Sequence, residues 1–392
     1  MTKTKPKKKA ATRKKSGATL GGALLTLIIL GVLAIGAYLG LFDVNWQVLF
    51  EEGDIGRAIV QEPVAVVEPV GGEWYRLYFT SPQYPDEPAR RVDLIEQGLI
   101  EVIDRAQHSL DIAIYELDLD KVADAVLAAR RRGVNVRLVT DTDSLETDDA
   151  LIRLAEAGLP LAADERGPIM HNKFVVVDGQ AVWTGSWNFT QNDTFRNNNH
   201  AIYIQSSQLA RNYAAEFEEM FGQKAFGPTS PANTPQPQID LGGTLIETCF
   251  APEDHCAGQL IERVRQARQN IRFMAFSFTH TDLGEAVRQQ AGQGVTVQGV
   301  FETRGSETKF SEFGAMQRQG LDVWQDGNPY TLHHKVFILD EQTVVLGSFN
   351  FSDNADTAND ENMLVIHNAD IAGQFLAEFR WVYSQAQNPP SD

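Results

Sequence analysis

A chain of 392 residues with 43% hydrophobic and 22% charged residues is long and apolar enough to bury a sizeable core. Its net charge of −18 is unevenly spread: residues 1–42 hold eight Lys/Arg and no Asp or Glu, which leaves −26 on the rest. A body that acidic repels polynucleotide backbones unless a local basic groove overrides the field, which argues against a general nucleic-acid-binding surface.

The N-terminal positives (Lys3, Lys5, Lys7, Lys8, Lys9, Arg13, Lys14 and Lys15) precede an almost unbroken apolar run from Leu20 to Phe42. As a helix this run is about 34 Å long, enough to cross a hydrocarbon core of about 30 Å. Residues 1–19 are therefore expected to be a basic cytoplasmic tail and 20–42 a transmembrane helix. The body would then lie outside the cytoplasm by the positive-inside rule. A cleaved signal peptide is the alternative, since Ala34–Ala37 offers small residues, although the run is long for an h-region.

Residues 43–73 read as a juxtamembrane spacer. From residue 74 one pattern appears twice. The first copy, 74–226, has an amphipathic helix through Val92, Ile95, Leu99, Ile103 and Ala106, a strand LDIAIY (110–115), a helix and a strand VNVRLVTD (134–141). The second, 241–388, repeats this with a helix through Leu260, Ile261 and Val264 and strands IRFMAF (271–276) and VTVQGVFE (295–302). Between them, Gly227–Gln238 carries four prolines in twelve residues and predicts a linker over 227–240. Strands alternating with helices predict an α/β fold with a largely parallel sheet in each half.

The chemistry sits in a motif present in both copies. The first reads His171-Asn-Lys173 through Asp178, then Gly185-Ser186-Trp-Asn188. The second reads His333-His-Lys335 through Asp340, then Gly347-Ser348-Phe-Asn350, every position offset by 162. On a strand, residues two apart project to one face, so each His and Lys can converge on one ligand. A phosphodiester needs charge neutralisation, a nucleophile and a proton donor. Lys173 and Lys335 can neutralise its oxygens. Asn188 and Asn350 can donate to them, supported by Ser186 and Ser348. Two imidazoles can divide the remaining roles.

These residues resemble the phospholipase D superfamily, whose signature is HxKxxxxD followed by GSxN, over roughly residues 75–385. The resemblance implies two similar α/β halves packed face to face around one shared active site, and a phosphohistidine intermediate. It implies hydrolysis of phosphoric diester bonds without cofactor or metal, in a monomer, since both half-sites are in one chain. The first-copy His would be the nucleophile. It makes Asp178 and Asp340 structural. A downstream acidic residue would orient the motif His. Glu361 occupies that position in the second copy, and Asn199 in the first, a departure that leaves the division of roles between the histidines open.

The two cysteines, Cys249 and Cys256, are expected to pair in an oxidising compartment. A metal site is the weaker reading, with only His255 and Asp254 nearby. His334 points to the opposite strand face from His333 and reads as structural. Trp187 and Phe349 read as packing, and Asp141 and Glu302 as solvated loop carboxylates. Phospholipid headgroup esters are the favoured substrate, because the anchor places the site near a bilayer and the body is acidic. An extracytoplasmic nuclease and a phosphatidyltransferase of the cardiolipin synthase kind are the alternatives.

Overall fold

The computed structural model describes residues 70–390. The expected tail, the transmembrane helix 20–42 and nearly all of the spacer lie outside the described residues. Within them, no helix is long and apolar enough to cross a membrane.

The first copy forms strands β1 (Val70–Gly71), β2 (Tyr75–Phe79), β3 (Ser109–Ile114), β4 (Asn135–Asp141), β5 (Leu161–Asp164), β6 (Lys173–Val177), β7 (Ala181–Gly185), β8 (Asn197–Asn198) and β9 (His200–Gln205). The second forms β10 (Gln238–Leu241), β11 (Thr244–Ala251), β12 (Asn270–Ala275), β13 (Thr296–Phe301), β14 (Asp322–Gln325), β15 (Thr331–Leu332), β16 (Lys335–Leu339), β17 (Thr343–Gly347) and β18 (Glu361–His367). Two eight-stranded sheets result, ordered β1-β2-β9-β7-β6-β3-β4-β5 and β10-β11-β18-β17-β16-β12-β13-β14. The topology of one is that of the other.

The sheets are mixed rather than largely parallel. Only β3-β4-β5 and β12-β13-β14 run parallel. The turn between β6 and β7 is Asp178-Gly179-Gln180, and that between β16 and β17 is Asp340-Glu341-Gln342. Three residues close a hairpin, whereas a parallel crossover needs a dozen or more. The linker also differs from expectation at its end, since β10 begins at Gln238 and pairs with β11. Past the last proline, Pro237, nothing removes a ladder donor, and Ile239 gains burial in the core. Likewise β1 extends the first sheet into the expected spacer.

One core lies between the two sheets. It joins Leu77, Phe174, Val176 and Ile202 of the first to Ile246, Val336, Ile338 and Leu364 of the second. Two helices, Ser207–Glu218 and Ala369–Gln387, contribute Tyr213, Phe217, Phe375 and Phe379 to it. Val175 and Val177 of β6 belong to a second core within the first half, and Phe337 and Leu339 of β16 to a third within the other. Alternate residues of each motif strand thus face opposite cores, which is why both strands read as unbroken apolar runs. Cys249 and Cys256 are joined by a disulfide.

Candidate active site

Each motif His stands just ahead of its strand, and the segment before it is pinned to the other half. β15 pairs with β8, and the His333 N–H donates to the Asn198 carbonyl at 3.0 Å. In the pseudo-symmetric position, the His171 N–H donates to the Asp360 carbonyl at 2.9 Å. Asp141 and Glu302 are not solvated; both are about 98% buried. Asp141 accepts the Met170 N–H at 2.9 Å and Glu302 the Leu332 N–H at 2.6 Å, each fixing the residue before the motif His. Burying them desolvates the carboxyl, which pushes Glu302 up to about 7.

The orienting residues cross between halves. His171 Nδ1 lies 2.8 Å from both oxygens of Glu361, whose Oε2 also accepts the Ser348 hydroxyl at 2.6 Å. His333 Nδ1 lies 3.0 Å from Asn199 Oδ1, which accepts the Ser186 hydroxyl at 2.8 Å. Each half therefore supplies the partner of the other half's imidazole. A carboxylate on Nδ1 fixes the proton there and leaves Nε2 of His171 with its lone pair. Burial, then Lys173 and Lys335, push His171 well down and keep it neutral. Burial likewise brings His333 down to about 4, against an opposing pull from Asp193.

Asp193 was not foreseen. It sits on the short helix Gln191–Phe195, and its Oδ2 lies 3.2 Å from His333 Nδ1. The signal available in the sequence was an unmatched acid, because the repeat places Ala355 at the corresponding position.

The two lysines are almost completely buried. Lys173 Nζ donates to the His171 carbonyl and Lys335 Nζ to the His333 carbonyl, each at 2.8 Å. Their ammonium groups lie over the rings of Tyr115 and Phe276 at 5.4 and 4.6 Å. Among the described residues neither is within ion-pair distance of a carboxylate. Burial pushes Lys173 down to about 8 and Lys335 well down. Two buried ammonium groups with no carboxylate in contact, and only Glu361 and Asp193 acting on both at longer range, are costly, and a phosphate between them would offset that cost. Asn188 and Asn350 stand beside them in the Gly-Ser-x-Asn turns, and the side-chain carbonyl of each is buried with no hydrogen-bond partner among the described residues. Ser186 and Ser348 turn instead to the orienting residues. A Cβ on Gly185 would lie 2.3 Å from the His200 carbonyl and one on Gly347 2.2 Å from that of Asn362, so only glycine lets the next strand approach there.

Asp178 and Asp340 lie outside this constellation. Asp178 accepts the N–H groups of Gln107, His108 and Ser109, and Asp340 those of Arg268, Gln269 and Asn270. His334 is buried beneath the site, with Nδ1 3.0 Å from His200 Nδ1 and Nε2 3.1 Å from Glu378. Beside the site, Phe276, whose ring centre is 4.8 Å from that of His333, opens into a cleft of about 690 Å³. Arg304, Lys309 and the exposed Phe310 line it together with Glu302, Glu312 and Asp353.

Similarity to known proteins places this fold in a family. A phospholipase D of Rickettsia bellii is 31% identical over 163 residues, 40% of this chain and 80% of that protein. A mitochondrial cardiolipin hydrolase of Xenopus tropicalis is 33% identical over 135 residues, 34% of this chain and 64% of that protein. The crystal structure of the Haemophilus influenzae phosphatidylserine synthase superposes with a TM-score of 0.59 at 12% identity, over 79% of this chain and 86% of that one, which establishes the shared fold. The family model described as "Cardiolipin synthase, PLD-like domain" matches twice, at residues 99–221 and 260–383, and with both of its halves this chain belongs to the phospholipase D-like family.

Proposed function

We propose that the chain is a phosphodiesterase that hydrolyses phospholipid headgroup esters through a phosphohistidine intermediate. The observation that carries this reading is the pair of buried lysines with no carboxylate in contact among the described residues, each two residues from a His held at Nδ1 by the opposite half. The His171 Nε2 lone pair attacks phosphorus while the bond to the leaving oxygen breaks. That oxygen keeps the bonding electrons and takes a proton from Nε2 of His333, which enters the step as the imidazolium, protonated as the substrate anion binds beside it. Water then attacks phosphorus and gives its proton to His333, and the P–N electron pair returns to His171. Lys173, Lys335, Asn188 and Asn350 hold the non-bridging oxygens throughout.

A phospholipid is favoured over a polynucleotide by the acidic body and by the cleft, where Arg304 and Lys309 are outnumbered by Glu302, Glu312 and Asp353. The names of the Rickettsia and Xenopus relatives support the same substrate class. Leu20–Phe42 would anchor the enzyme with its body outside the cytoplasm. The test incubates the purified chain in detergent with phospholipid vesicles, DNA and RNA, all in EDTA. Headgroup release from phospholipid alone is expected. Cleavage of DNA or RNA alone would replace the reading with a nuclease, and activity that requires a divalent ion would sink the proposed chemistry.

A further inference from the structure

The offset of 162 lets each residue of one half be compared with its counterpart in the other. Two positions around the histidines differ in opposite directions. Where the second half has the carboxylate Glu361, the first has the amide Asn199. Where the first half has the carboxylate Asp193, the second has the methyl of Ala355. Both short helices that carry the latter pair, Gln191–Phe195 and Asp353–Thr357, follow the Gly-Ser-x-Asn turn, and both residues are buried. Each half therefore holds one carboxylate at the far histidine's Nδ1, reached from two different places in the chain.

Asp193 is built for that place. Its Oδ2 accepts the Asn188 N–H at 2.8 Å and its Oδ1 the Asn197 amide at 2.6 Å, so both oxygens are fixed. Oδ2 lies 3.2 Å from His333 Nδ1, and among the described residues His333 is its ion-pair partner. Asn199 is itself tied to the same turn, its Nδ2 donating to the Asp193 carbonyl at 3.1 Å. An amide can fix a tautomer, but only an anion stabilises an imidazolium.

We propose that Asp193 is the positioning residue of His333, supplying the charge that Asn199 lacks and stabilising the imidazolium that protonates the leaving group. This rests on the reading of the two histidines as one phosphodiesterase site. The consequence is selective. A leaving alkoxide needs the proton, whereas a nitrophenolate departs without it, so loss of Asp193 is felt by the first far more than by the second.

The test compares the full chain with Asp193→Ala, Asp193→Asn and the exchange Asp193→Ala/Asn199→Glu, which gives the first half the arrangement of the second. First-turnover rates are read on an alkyl phosphodiester and on its nitrophenyl analogue. Each single variant is expected to lose about 10²- to 10³-fold on the alkyl ester and less than about tenfold on the nitrophenyl ester. The exchange should recover alkyl-ester turnover to within about tenfold of the parent. Equal losses on both esters, a fully active Asp193→Asn, or a folded exchange variant with no recovery would each overturn the proposal. His171→Ala is the separate control for the underlying reading: a fully active His171→Ala sinks the shared site itself. Should Asp193→Ala fail to fold, Asp193→Asn and the exchange still decide.

Discussion

If each histidine works only with the opposite half, removing either must stop the whole enzyme rather than half of it. His171→Ala deletes the Nε2 that attacks phosphorus and strands Glu361, whose Oε1 and Oε2 both lie 2.8 Å from His171 Nδ1. We expect a loss of about 10⁴-fold or more, equivalent to about 5.5 kcal/mol of transition-state stabilisation. His333→Ala deletes the proton donor and should lose about 10²- to 10⁴-fold on an alkyl ester. The double variant should be no slower than His171→Ala alone, because the two act on one phosphorus. Turnover is followed with a radiolabelled phosphodiester, and quenching in alkaline detergent, where a P–N bond to histidine survives, tests for label on the protein. His333→Ala should trap label on residue 171 from a substrate with a good leaving group, and His171→Ala should trap none. Half-maximal activity in each single variant would refute the shared site, and label on residue 333 would reverse the roles.

Glu361→Gln keeps a hydrogen-bond acceptor at His171 but removes the charge, and should cost about 10³- to 10⁴-fold in kcat with KM little changed, measured by steady-state kinetics. Gly347→Ala would put a Cβ 2.2 Å from the Asn362 carbonyl and should destabilise by about 1–3 kcal/mol or more in urea unfolding. Thermal stability should fall as pH rises from 6.5 to 8. Burial raises Glu219 to about 8 and Glu253 to about 7, so the folded state holds protons there that the unfolded chain has already lost. Their contribution is complete below about pH 4.5 and disappears through pH 8; the depressed histidines act only below their unfolded value of about 6.5, and the depressed Lys335 opposes the fall but is outnumbered by Glu219, Glu253, Asp360 and Glu361. Calorimetry across that window tests the sign: a melting temperature that rises, or a slope unaltered in Glu219→Gln, would contradict it.

The sequence carried the repeat, the strand and helix order and the motif residues, because a duplicated polar pattern on a period-two strand survives without knowledge of the fold. What it did not carry was strand direction. A three-residue turn such as Asp178-Gly179-Gln180 was available to mark the hairpin between β6 and β7, yet the alternation of strands with helices elsewhere suggested parallel pairing. Nor could it show that Glu361 reaches His171 rather than His333, since crossing requires the two sheets to share a core. Asp141 and Glu302 were misread for a related reason. A carboxylate at a strand end is solvated unless another segment closes over it, and the segments that do so, ending at Met170 and Leu332, arrive from farther along the chain.

The layer beneath the site shows why the two halves cannot be exchanged although their topology is the same. On one side of the pseudo-twofold, the Asn362 Nδ2 donates to Asn172 Oδ1 at 2.8 Å, and the Asn172 Nδ2 donates to Glu216 at 3.2 Å. At the corresponding positions on the other side stand His200, His334 and Glu378, with the two imidazoles stacked at 5.2 Å. Amides donate and accept at once, so Asn362 and Asn172 can bridge the halves in a fixed sense. Two imidazoles joined Nδ1 to Nδ1 at 3.0 Å need one ring to donate and the other to accept. The Glu378 carboxylate accepts from Nε2 of His334 and thereby selects the tautomer in which His334 Nδ1 accepts from His200. The halves thus meet through one amide bridge and one imidazole bridge, each ending on a glutamate of an inner helix. The asymmetry at Asp193 and Glu361 lies directly above this layer in the chain, one residue from His200 and Asn362 in the case of Asn199 and Glu361. A two-step reaction asks one histidine to bond to phosphorus and the other to move protons, and a site of identical halves would give both histidines the same surroundings for different work.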